Sequence, residues 1–327
     1  MTDASTPIET AGADDSLFER WLAPARPKSE LWRTVVGGVV IVVIWMTWSF
    51  AVLMVAMLSG LLDQEGLRGM LGEAPAKLPY IDAVISSVIL LATFAGLWIG
   101  VLVVAKVIHG RTLGSVVSYA RRFNFAQFGW GAGIGVVYLL VGVLSSFATG
   151  HPPTRTDVEI GPWLWGLAPI CFVLLIQTSG EELFFRGYLV QQLAARFRHP
   201  LVWGLLPAFV FGLGHYANAT TTIYSLYYVA ATTLFGVVAV VLLWRTGSLA
   251  APIGLHFVNN IGAFNVAGAE GVGPQTYLWS WTDSDIVAGA PVDLISLCVL
   301  LAFVLSPWAP FPKGQALLRR NETRAAP

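Results

Sequence analysis

Charge is scarce in this chain. Asp, Glu, Lys and Arg make up 12% of its 327 residues and hydrophobic residues 56%, whereas a soluble globular domain carries about 25% charged residues. Nor is there a surplus of either sign: 19 basic residues balance 19 acidic ones. A nucleic-acid partner, which would call for a basic excess, is therefore not expected. Cysteine is scarcer still. Cys171 and Cys298 are the only two, each inside an apolar run, which argues against a disulfide framework. No basic segment leads into a short apolar core near the start, so the pattern of a secretory signal is missing. Internal repeat symmetry is also missing, which counts against transporters built from inverted repeats.

What the chain has instead is a series of long uncharged stretches, and a mean hydropathy of +0.68. A bilayer span needs about 20 apolar residues. Runs at 34–59, 83–105, 125–149 and 160–180 meet that length. The stretch 201–244 holds two helices, with a turn at Asn218–Thr222, and runs at 248–269 and 294–312 follow. The expectation is an all-α integral membrane protein, a bundle of about eight transmembrane helices. Residues 1–30 read as a mobile polar tail, 31–312 as one transmembrane domain and 313–327 as a basic tail. Alternating sides through eight spans gathers most Lys and Arg on one face. This predicts both termini in the cytoplasm and a plasma-membrane location. Glycines in the 125–149 run predict close helix contact there.

Against this background the few ionisable residues inside apolar runs stand out, because burying them is expensive. Glu181, Glu182 and Arg186 follow the fourth run, His215 lies in the fifth, and His256 in the seventh. Glu182 and Arg186 are four apart with the acid first, the favourable order for a helical ion pair. Glu181 points about 100° away and is free to face something else. Phe211 shares a helical face with His215, and Asn260 with His256. If the fourth helix continues past Gly180, helices 4, 5 and 7 converge on one polar pocket. A carboxylate beside an imidazole can deprotonate a water, and a His–Asn pair can donate hydrogen bonds to an oxyanion. The sum is a hydrolase of acyl bonds, most naturally peptide bonds. An alternative takes Glu181, His215 and His256 as zinc ligands with water in the fourth position. Ser179 reads as a helix hydroxyl, and the many Trp and Tyr residues near helix ends as interface belts.

The sequence Glu181-Glu-Leu-Phe-Phe-Arg186 resembles the EExxxR motif of the CPBP family, the CAAX prenyl-protease and bacteriocin-processing (Abi) membrane proteins. Phe211-Gly-Leu-Gly-His215 resembles its FxxxH motif, and His256-Phe-Val-Asn-Asn260 its HxxxN motif. The order and spacing agree over about residues 160–265. The resemblance implies a type II CAAX endopeptidase fold, with Glu181 and His215 activating water and His256 and Asn260 stabilising the oxyanion. Glu182, Arg186 and Phe211 become supporting residues. The family's metalloprotease label would bring in zinc, although the glutamate-dependent account needs no metal. The implied partners are membrane lipid and a membrane-associated protein or peptide, prenylated in the CAAX case. Two other readings of the same residues are a non-catalytic scaffold or bacteriocin-immunity protein and a proton-coupled transporter.

Overall fold

The computed structural model describes residues 16–70, 78–219 and 221–311. Two short elements come first: helix α1 (Leu17–Leu22), then a 3₁₀ turn (Ala23–Lys28). After them come α2 (Leu31–Leu58), α3 (Gln64–Met70), α4 (Tyr80–Ala92), α5 (Ala95–Val107), α6 (Gly114–Val117) and α7 (Phe125–Ala148). Helix α8 (Ile160–Glu182) runs through a π-helical turn (Leu183–Leu189) into α9 (Val190–Arg196). A second π turn (Leu201–Leu205) opens α10 (Leu206–Leu213). Helices α11 (Thr222–Thr246) and α12 (Ala250–Ile261) follow, and α12 ends in a third π turn (Gly262–Val266). Helix α13 (Asp283–Leu305) closes the described chain.

The architecture is that of an all-α membrane protein. Six helical stretches are long and apolar enough to cross a bilayer: Leu31–Leu58, Tyr80–Val107, Phe125–Ala148, Ile160–Arg196, Thr222–Thr246 and Asp283–Leu305. Their outer faces carry large apolar side chains such as Phe50, Leu144, Trp165 and Val299, as a lipid-facing surface requires. The fifth and seventh of the eight expected spans are short pieces, Leu201–Leu213 and Ala250–Ile261. The small β element was not expected. Strands β1 (Thr154–Arg155), β2 (Ala267–Ala269) and β3 (Trp279–Trp281) form a sheet in the order β1-β3-β2, with β1 antiparallel and β2 parallel to β3. It ties together the two loops at one end of the bundle.

Two sequence expectations need correction, and one condition is met. The tail 1–30 is not uniformly loose: residues 1–15 lie outside the described residues, but Phe18, Trp21 and Leu22 of α1 are buried. Their i, i+3, i+4 spacing gives this six-residue helix an apolar face. Trp21 Nε1 also donates to the Val116 carbonyl (2.9 Å). The fourth helix does continue past Gly180, the condition for the three motifs to meet. Gly180 sits inside α8 where a Cβ would press on the Phe94 carbonyl at 3.0 Å, so glycine here serves packing. The last span begins at Asp283 rather than Leu294, because Thr282 and Asp285 form a capping box. That places Asp293 well inside a helix taken to be free of charge. Residue 77 and the tail 313–327 lie outside the described residues.

Packing brings α12 to the centre. It lies along α7 and also touches α8 and α11, while α10 and α13 pack on α11 and α4 on α8. The close approach of α7 and α12 depends on Gly131 and Gly254. A Cβ on Gly131 would overlap the Ala251 carbonyl, and one on Gly254 the Phe128 carbonyl. The glycines of the third apolar run therefore do what small residues do at membrane helix interfaces.

Candidate active site

The three motifs meet. Glu181, Glu182 and Arg186 come from the α8 end and its π turn, Phe211 and His215 from α10 and the turn after it, and His256 and Asn260 from α12. Each motif-bearing helix contains one of the π turns, a distortion often found at functional sites. Glu181, Glu182, Arg186 and His256 are all buried.

Glu182 is the structural hub. Its Oε1 accepts from His256 Nδ1 (2.9 Å) and lies 3.0 Å from Arg186 Nη1. The Arg186 guanidinium in turn covers the Phe211 ring at 4.2 Å. Phe211 also packs edge-on against His215 (4.6 Å between centroids) and His256 (5.8 Å). Glu182, Arg186 and Phe211 thus form one connected set of contacts with the two imidazoles.

Glu181 is turned the other way. Its Oε2 faces His256 Nε2 at 3.6 Å, too far for a direct hydrogen bond. Buried and without a hydrogen-bond partner among the described residues, that oxygen is an open acceptor. A gap of this length between polar groups suits a bridging water. His215 Nδ1 bonds the Phe211 carbonyl (2.8 Å). A carbonyl only accepts, so Nδ1 carries the proton and the neutral ring presents Nε2 as a free acceptor. Asn260 Nδ2 donates to Gln177 Oε1 (2.9 Å), and Asn259 Nδ2 to Asn260 Oδ1 (3.2 Å).

Two residues of this constellation escaped the sequence reading. Gln177 is a buried polar side chain four residues before Glu181, on the same face of α8. That spacing was visible. Tyr228 of α11 packs edge-on against His215 (5.7 Å) and lies within electrostatic range of Glu181. A tyrosine in an apolar helix looked like belt or core. Ser179 donates to the Leu175 carbonyl and receives the Trp98 indole N–H (3.2 Å), consistent with a helix hydroxyl.

The zinc reading lacks a placed donor set. With both Nδ1 atoms hydrogen-bonded, the Nε2 atoms of His215 and His256 would be the ligating atoms. Among the described residues no group of three or more His, Cys, Asp or Glu side chains is placed to hold a metal. Glu181, His215 and His256 are neighbours but not a ligand trio.

Fold and site together define a polytopic helical membrane protein with a buried carboxylate–imidazole centre. Its motif-bearing core, residues 162–262, matches the family model described as type II CAAX prenyl endopeptidase Rce1-like. The resemblance read from the three motifs is thereby upheld. Over 243 residues the chain is also 28% identical to the uncharacterized protein YyaK of Bacillus subtilis (strain 168), covering 74% of this chain and 79% of that protein. No solved structure matches.

Proposed function

We propose that the protein is an intramembrane endopeptidase in which Glu181 and His215 activate a water and His256 and Asn260 stabilise the oxyanion. The observation that carries this reading is the buried Glu181 Oε2, unpartnered among the described residues and 3.6 Å from an imidazole that Glu182 holds in place. Water bound there attacks the scissile carbonyl carbon and passes its proton to Glu181, with His215 Nε2 as the companion acceptor. The carbonyl oxygen takes up the negative charge and is met by His256 Nε2, in its protonated form, and by Asn260 Nδ2. Collapse of the tetrahedral intermediate breaks the C–N bond, and the proton held on Glu181 goes to the leaving amine. A positioned general base contributes about 10²–10⁴ in rate, and an oxyanion donor about 10²–10³.

The substrate class that the family suggests is a membrane-associated protein or peptide cut near its C-terminus, prenylated where it carries a CAAX tail. Both termini in the cytoplasm and a plasma-membrane location complete the reading. The test incubates purified wild type and Glu181→Ala with prenylated and unprenylated CAAX-type peptides and reads the products by mass spectrometry. Cleavage by the wild type alone is expected. Full activity in Glu181→Ala would sink the mechanism, and no cleavage of any peptide by the wild type would count against the endopeptidase itself.

A further inference from the structure

A second polar feature lies away from the Glu181 centre. A cavity of about 250 Å³ runs between α7, α11, α12 and α13. Its lining includes Thr149 and His151 beyond the end of α7 and, farther along the bundle, Tyr138, Tyr227, Asn259 and Asp293. Tyr138 lies ten residues before Ala148, so the lining extends about 15 Å along α7 at 1.5 Å per residue. Its size suits one side chain better than a drug-sized ligand, for which pockets run about 300–1,000 Å³.

Asp293 is the informative residue. Tyr138 donates its hydroxyl to one carboxylate oxygen (2.6 Å) and Tyr227 to the other (2.8 Å). Both carboxyl oxygens of Asp293 are thus engaged by phenol groups. No Lys, Arg or His among the described residues forms an ion pair with it, and no Lys or Arg lines the cavity. The other charges on the cavity are Asp285 and the imidazole it bonds, His151 (3.1 Å). A carboxylate within an apolar bundle needs a counter-charge, and such residues mark ligand or ion pathways. Phenol donors steady the anion but leave its charge uncancelled.

A chain of hydrogen bonds links the cavity lining to the proposed catalytic centre. Asn259 lines the cavity, donates to Asn260, and Asn260 donates to Gln177, one helical turn from Glu181. On the other wall Tyr227 precedes Tyr228, which packs on His215. We infer that the Asp293 cavity is a specificity subsite that receives a cationic side chain, lysine or arginine, of the peptide substrate. The assignment to a substrate rests on the endopeptidase reading, whereas the cavity's preference for a cation does not.

The experiment measures binding, so that it does not depend on cleavage. Two fluorescein-labelled peptides, identical but for one lysine or norleucine, are titrated into the purified Glu181→Gln protein and followed by anisotropy. The lysine peptide is expected to bind at least about tenfold more tightly, equivalent to 1.4 kcal/mol. Asp293→Asn, added to the same protein, should erase the difference. Ser146→Lys, which tethers a competing ammonium at the cavity lining, should erase it too and guards against misfolding of the Asp293 variant. Equal binding of the two peptides, no binding of either, or a lysine preference that survives both substitutions would overturn the assignment. A lysine preference in a protein whose wild type cleaves nothing would keep the subsite and discard the protease. Cleavage without the preference would do the reverse.

Discussion

Replacing Arg186 with alanine tests whether the second glutamate of the pair is scaffold and the first is chemistry. Arg186 is fully buried, 3.0 Å from an equally buried Glu182 and 4.2 Å above the Phe211 ring. Its removal strands the Glu182 carboxylate with only the His256 N–H, and leaves a void beside Phe211. Breaking a buried ion pair by deleting one partner costs about 3–5 kcal/mol. At about 2 °C per kcal/mol, appropriate to a chain of this size, the melting temperature should fall by about 6–10 °C. Glu181→Ala removes no ion pair with Arg186 and should fall much less. The assay is thermal unfolding of purified protein in mild detergent, with Arg186→Met/Glu182→Gln alongside. Removing both charges should recover part of the loss, because no uncompensated ion remains. If Arg186→Ala melts within about 2 °C of wild type, or no lower than Glu181→Ala, the pair does not hold the site together.

Two further outcomes are expected. Asn260→Ala should lower kcat by about 10²–10³ with a smaller change in KM, since an oxyanion donor acts mainly in the transition state; steady-state kinetics on a cleaved peptide would reveal an unchanged kcat. Stability should also decline in acid through His109, which lies just beyond the end of α5. Burial, reinforced by the Arg111 guanidinium, pushes its imidazole down to about 4 from an ordinary 6.5. The folded state therefore keeps His109 neutral where the unfolded chain binds a proton, and its contribution, complete above pH 6.5, is lost as pH falls towards 4. Melting curves of wild type and His109→Gln across that window should converge at low pH; parallel curves would refute the assignment.

Much of the site was legible because charge inside an apolar helix is rare and its spacing informative. Glu182 and Arg186, Phe211 and His215, and His256 and Asn260 each announced a shared face, and the structure brings all three pairs together. Burial of His256 against both glutamates was not legible, since it depends on how α12 crosses α8. Asp293 was missed for a simpler reason. Asp283 and Asp285 looked like loop residues, yet as first-turn acids behind Thr282 they start the helix and carry Asp293 into it. The α1 helix was hidden by its length, because a six-residue segment gains its stability from tertiary contacts such as Trp21 on Val116 rather than from its own propensity. The short fifth and seventh helices answer to packing more than to span length, and counting apolar residues could not foresee that.

The π turn at Leu183–Leu189 separates two duties along one continuous rod. An extra residue in a helical turn rotates everything beyond it by about 100° relative to an uninterrupted α-helix. Upstream, Gln177 and Glu181 face the buried centre. Downstream, Gln191 Nε2 reaches the carbonyls of Trp21 (2.7 Å) and Ser115 (2.8 Å), anchoring the rod to the N-terminal helix and the α6 segment. The same stretch of chain thus works as a phase shifter: the inserted residue sets the angular offset between the face that carries Glu181 and the face that anchors the rod.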